Sequence, residues 1–180
     1  MLTILVPARE FWDDKNEIFV NSAETTLHLE HSLLSISKWE AKWQKPFLTK
    51  DQKTNEEALD YIRCMTLTQN VRPEVYKALS RENYKAIDDY ISSPMTATWF
   101  REDNSRKSSG EQITSELIYY WMVALNIPFE CQKWHLNRLL TLIRICNVKN
   151  QPPKKYSKRD LMSRNTALNA ARKKQLHNRG

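Results

Sequence analysis

The 180-residue chain contains two glycines, Gly110 and Gly180. Glycine-rich phosphate loops and dinucleotide-binding turns need glycine at two or three fixed positions, where the backbone takes a positive φ or lies close to a phosphate. Those nucleotide-binding motifs are therefore excluded. Long hydrophobic runs are lacking too. The most apolar stretch, Leu117 to Leu125, is nine residues long, against the roughly 20 that span a bilayer. Asn126 and Pro128 close it, so no membrane span is expected. The three cysteines, Cys64, Cys131 and Cys146, form no CxxC pair. Their odd number, in a sequence without a secretory leader, suggests reduced thiols in a cytosol. Each has apolar neighbours and reads as a small core residue.

Acid is scarce at one end only. From Lys149 onward there are ten basic residues (Lys149, Lys154, Lys155, Lys158, Arg159, Arg164, Arg172, Lys173, Lys174, Arg179) and one acid, Asp160, giving that segment +9. The remaining 18 basic and 20 acidic residues leave positions 1–148 at −2, although the whole chain is +7. The charge thus describes a near-neutral body with a basic tail. A chain of this length can bury a sizeable core without disulfides or metals. We expect a globular body over 1–150 and a helical basic tail over 151–180.

Periodicity fills in the body. Apolar residues alternate at Leu2, Ile4 and Val6, at Ile18 and Val20, and at Leu27 and Leu29, which predicts a small antiparallel β-meander over 1–30 turning at Asp13-Asp14-Lys15-Asn16. From about His31 the period becomes helical through Leu33, Leu34, Ile36, Trp39 and Trp43, until Pro46 stops it. Thr54 with Glu57 forms a capping-box pattern for a helix over 54–67. Pro73 can open a short helix to Leu79. Ser80 can cap another to Tyr90, with Tyr84, Ile87, Tyr90 and Ile91 along one side. REDNSRKSSG, 101–110, reads as a mobile surface loop.

Beyond that loop, Leu117–Leu125 and the pattern resuming at Phe129 predict two helices about Pro128. The second leaves a narrow polar stripe of Lys133, Asn137, Thr141 and Arg144. Trp134, Leu136, Leu139, Leu140, Leu142, Ile143 and Ile145 cover the rest of its circumference, a pattern normal at the centre of a bundle. The fold class expected is mainly α, a helical bundle around a central helix hairpin at about 114–149. A last helix, from Ser157 to about His177, has a thin apolar stripe of Leu161, Leu168 and Ala171 and cannot fold by burial alone.

Candidate chemistry is sparse. His28, Glu30 and His31 come closest to a metal set, but strand alternation puts His28 and His31 on opposite faces. His135 has no matching histidine at helical spacing and reads as a hydrogen-bonded or partly exposed helix residue. The acid pairs Glu56-Glu57 and Asp88-Asp89 fall on helix faces expected to be exposed and solvated. No nucleophile has a recognisable base partner, so no catalytic, cofactor-binding or metal residue is assigned and no enzyme is expected. The tail could neutralise phosphates, but Tyr156 is its only aromatic residue, which supports base stacking poorly.

Four blocks carry a resemblance: LEHSLLSISKWEAKWQKPFL (29–48), DYIRCMTL (60–67), TSELIYYWMVALNIPFECQKWHLNRLLTLIRICNVKN (114–150) and RNTALNAARKKQL (164–176). They resemble tail assembly chaperones encoded in the tail-gene clusters of long-tailed bacteriophages. The resemblance implies a non-enzymatic protein of the host cell cytoplasm that binds the helical tape-measure protein during tail morphogenesis, with self-association also possible. It carries over no catalytic or binding residues. A permanent virion component of the tail or neck, and a nucleic-acid-binding accessory protein acting through the basic tail, stay open as alternatives.

Overall fold

A computed structural model describes residues 1–13, 17–49, 51–100, 112–150 and 158–175. Side-chain surroundings are described for these except Asp13, Ile18 and Asp160. The chain forms two units, Met1–Asn147 and Val148–Gly180. It is mainly α, with a small antiparallel β part at the N-terminus.

The strands are β1 (Leu2–Val6), β2 (Arg9–Asp13), β3 (Ile18–Ser22) and β4 (Thr25–Leu29). β1, β3 and β4 stand where alternation places them, β2 is a strand that no alternation marked, and the pairing is nested rather than the sequential order of a meander. β1 pairs with β4, and β2 with β3. The two ladders share one register: Val6 faces Thr25, Arg9 faces Ser22, and two residues are skipped on each side. The strands therefore form one long hairpin, interrupted where Pro7 brings no N–H to the ladder. Ile4, Val6, Leu27 and Leu29 all turn into the core. On the far half, Trp12 faces Phe19 with ring centroids 4.9 Å apart. The expected turn residues 14–16 lie outside the described residues.

α1 (Leu33–Trp43) follows β4 directly. Ser32 caps it, its Oγ accepting the Ser35 amide while Ser35 Oγ accepts the Ser32 amide. It ends before Pro46 because Gln44 takes a left-handed φ of 53°. Leu33, Ile36 and Trp39 are fully buried. α2 (Asn55–Met65) starts at the Thr54–Glu57 capping box read from the sequence. α2, together with the helix at Ser115–Ala124 and the 3-10 turn at Phe129–Lys133, packs against α1.

α3 (Pro73–Lys77) opens with its proline, and Ser80 caps α4 (Arg81–Ser92). α4 packs on β1, where Asn83 donates to the Leu5 carbonyl at 3.1 Å. Ile87 and Tyr90 are buried, but Tyr84 is exposed, lying beside the face that Asn83, Ile87 and Tyr90 bury. Residues 101–110 lie outside the described residues.

α5 (Ser115–Ala124) is followed by a 3-10 turn at Phe129–Lys133 and then α6 (Leu136–Asn150). The second helix thus begins seven residues later than Phe129, because Trp134 is extended at ψ 160° and breaks the run. α6 buries one face, Leu136, Leu139 and Ile143, rather than its whole circumference. Trp134, Leu140 and Leu142 are half-buried against that core. The polar stripe holds the chain leaving α4: Asn137 Nδ2 donates to the Ile91 and Ser93 carbonyls, and the Arg144 guanidinium stacks 4.1 Å over Phe100. In the second unit α7 runs Lys158–Gln175; Tyr156, Ser157 and His177 lie outside the described residues.

Candidate protein-binding surface

α5 is held at its start by a buried carboxylate. Glu40 of α1 accepts the Ser115 amide at 2.7 Å through Oε2 and the Phe47 amide at 2.7 Å through Oε1. Thr114 adds the side-chain cap, accepting from the Leu117 amide. At its end the Ile127 amide bonds the Met122 carbonyl, and the Asn126 amide bonds the Val123 carbonyl. With Asn126 at φ 52° this is a Schellman stop, and the buried Ile127 packs beneath it. α5 is thus a fixed element with both ends satisfied.

Its two faces differ. Ile118 and Met122, one turn apart, are wholly buried. At 3.6 residues per turn, Tyr120 and Val123 point the opposite way, and they are 65% and 59% exposed. Phe129 in the 3-10 turn is 54% exposed, with its ring 6.4 Å from that of Tyr119. The Tyr119 hydroxyl donates to Gln132 Oε1, fixing the ring between α5 and that turn. Scattered exposed apolar residues are ordinary. A rigid helix whose outer face carries Tyr and Val and only one charge, Glu116, is a surface another helix can cover.

The residues considered for chemistry go elsewhere. His28 pairs with Thr3 across the β1–β4 ladder, Nδ1 to Oγ1 at 3.1 Å. His31 lies beyond β4, buried, so the two histidines do not converge. His135 is hydrogen-bonded, its Nε2 3.0 Å from the Tyr90 carbonyl, but it stands just before α6 and is buried rather than partly exposed, between Tyr90 and His31 with ring centroids 4.9 and 5.0 Å away. Burial holds both His31 and His135 below the usual imidazole range, His31 at about 4. No group of three His, Cys, Asp or Glu among the described residues converges as a metal set.

Glu56, Asp88 and Asp89 are exposed, but Glu57 is buried, contrary to the solvated face expected for it. Its Oε1 accepts Lys45 Nζ at 2.6 Å and its Oε2 the Thr54 amide at 2.8 Å. Those bonds, Lys45 first, hold its carboxyl below the usual range. Asp60, on the same face, accepts the Trp43 indole N–H at 2.9 Å and pairs with Lys42. Capping-box spacing marked Glu57 in the sequence; Glu40 takes its partners from beyond its own helix, and Asp60 takes Lys42 and Trp43 from α1 as well as Arg63 one turn on in α2.

Two of the surface clefts are small. One of about 340 Å³ lies between the start of β4 and α3, lined by Thr25, Thr68, Arg72 and Glu74. The other, about 300 Å³, lies beside Trp39, Lys45, Lys53 and Glu57. In the second, Lys45 pairs with Glu57, and Lys53 Nζ donates to the Phe47 carbonyl while lying 4.3 Å over the Phe47 ring. Cys64, Cys131 and Cys146 are free thiols, Cys131 buried and the others half-buried. Burial raises the thiols of Cys64 and Cys131, which makes them poor nucleophiles. No helix among the described residues is long and apolar enough to cross a membrane. Comparison with protein-family models, with curated proteins and with solved structures finds no match to this chain.

Proposed function

We propose that this chain is a non-enzymatic tail assembly chaperone of a long-tailed bacteriophage, acting in the host cell cytoplasm and holding the tape-measure protein until tube subunits replace it. The observation that carries the reading is the outer face of α5. Tyr120 and Val123 are exposed on a helix already anchored through Ile118, Met122 and Glu40. A long helical client needs its apolar stripe covered until it is packed, and a fixed helix with a spare apolar face offers that cover reversibly. The resemblance over 29–48, 60–67, 114–150 and 164–176 supplies the kind of client.

Co-expression with the adjacent tail genes, followed by affinity capture and mass spectrometry, tests this. The tape-measure protein is the expected co-purifying species, and purified phage particles are expected to lack this chain. Its presence in particles at fixed stoichiometry would favour the permanent virion component instead. A nucleic-acid role rests on α7, which is basic and exposed along its described side chains. That reading requires binding to DNA or RNA that weakens steeply with salt.

A further inference from the structure

We propose that His31 and His135 form an acid-opened latch joining the β4–α1 corner to the start of α6. The backbone meets there in an isolated antiparallel bridge between Ser32 and His135, in which the Leu136 amide donates to the His31 carbonyl at 2.7 Å. The two buried rings lie edge to face, centroids 5.0 Å apart.

Geometry fixes the protonation state of His135. Its Nε2 lies 3.0 Å from the Tyr90 carbonyl oxygen, which can only accept, so Nε2 carries the proton. Its Nδ1 accepts the Asn137 amide at 3.3 Å, so that nitrogen is bare. The neutral imidazole therefore serves as the side-chain cap of α6. A second proton would remove this acceptor, set two N–H groups against each other, and put positive charge at the positive end of the helix dipole. His31 is similarly placed, with Nδ1 2.5 Å from the Tyr61 hydroxyl. Tyr61 is a deeply buried phenol that stays protonated and can donate to it.

The other ionisable groups around the pair give little relief. Tyr90 from α4 donates to Glu30 Oε1 at 2.6 Å, and the Met1 amino group lies 2.8 Å from Glu30 Oε2. The Glu30 carboxylate is thus engaged by two donors, and its field on the histidines is outweighed by their burial. From α2, Tyr61 and the Cys64 thiol near it carry no charge near neutrality.

The sign follows from linkage. The unfolded chain binds protons at these imidazoles near pH 6.5, whereas the folded chain resists them down to about 4 at His31. The folded joint weakens as pH falls through that interval and levels off below it. Glu57 and Glu82, whose carboxyls are held low, lose their contribution only in more acid solution, so the range from pH 7 to 5 belongs to the histidines.

The test is hydrogen exchange at residues 136–139 at pH 7 and pH 5, corrected for intrinsic rates, together with NMR titration of the imidazoles. For His31 alone the opening constant should rise about 20-fold between pH 7 and pH 5. His31 should titrate well below 6.5, and His135 should be lowered as well. The double variant H31Q/H135N, which keeps acceptors at both places without a titrating ring, should lose most of this pH dependence. A wild-type change of less than about threefold overturns the latch, as does an imidazole of this pair titrating near 6.5 in the folded protein. An undiminished response in the double variant overturns it too. If that variant does not fold, the two wild-type readouts decide the matter.

Discussion

α5 and α7 both leave apolar side chains exposed, yet they are opposite kinds of helix. α5 is ten residues long, capped at its start, closed by a Schellman stop and pinned through Ile118, Met122 and Glu40. α7 is eighteen residues long, and its described side chains are all exposed, including Leu161, Met162 and Leu168. Length does not make the stable helix here; an inward face does, as expected when packing rather than propensity supplies helical stability. On α5 the exposed apolar residues are surplus to folding. On α7 no buried face stands behind them.

The inner face of α5 should break the comparison most severely. Met122→Ala should cost roughly 2–5 kcal/mol, because it empties a fully buried site. Urea denaturation would register this as a lower midpoint with an unchanged slope. A cost below about 0.5 kcal/mol would mean that α5 is not anchored as described.

Next in size is Glu40→Ala, which strands the buried amides of Phe47 and Ser115. About 1–3 kcal/mol is expected for each buried donor left unpaired, less whatever water recovers. Faster exchange of the Ser115 amide, out of proportion to the global change, would locate the loss at the start of α5. A uniform change across the chain would count against the staple.

The smallest effect should come from truncation after Asn150. The body should keep its unfolding free energy to within about 0.5 kcal/mol, since no described side chain of α7 is buried. A peptide of 151–180 should be weakly helical in water. A lower midpoint in the truncated chain would mean that the tail contributes to the body.

What was legible in the sequence follows the same division. Local signals could be read directly. Alternation gave the inward residues Ile4, Val6, Leu27 and Leu29; Thr54 with Glu57 and Ser80 gave helix starts; Pro73 gave another. Non-local pairing could not be read. Nothing near Pro7 shows that β1 skips to β4, since that depends on a partner strand about twenty residues away. His135 lacked a histidine at helical spacing because its neighbour, His31, comes from the far end of the body. The breadth of apolar residues on 134–145 suggested burial all round. In the fold part of that surface is only half-covered, because a helix with one packed neighbouring face leaves the other side at the surface. The outer face of α5 was hidden for a related reason: nine apolar residues in a row do not show which ones face inward.

The central claim is that Tyr120 and Val123 hold a partner and contribute little to the fold, and the double variant Tyr120→Ser, Val123→Ser tests it most directly. The variant and the wild type would each be co-expressed with the tape-measure protein, with urea midpoint and co-purification measured on the same preparations. The account predicts an unfolding free energy within about 1 kcal/mol of wild type and a tape-measure yield reduced at least tenfold. An unfolded variant, or one that retains its client at wild-type yield, would contradict it.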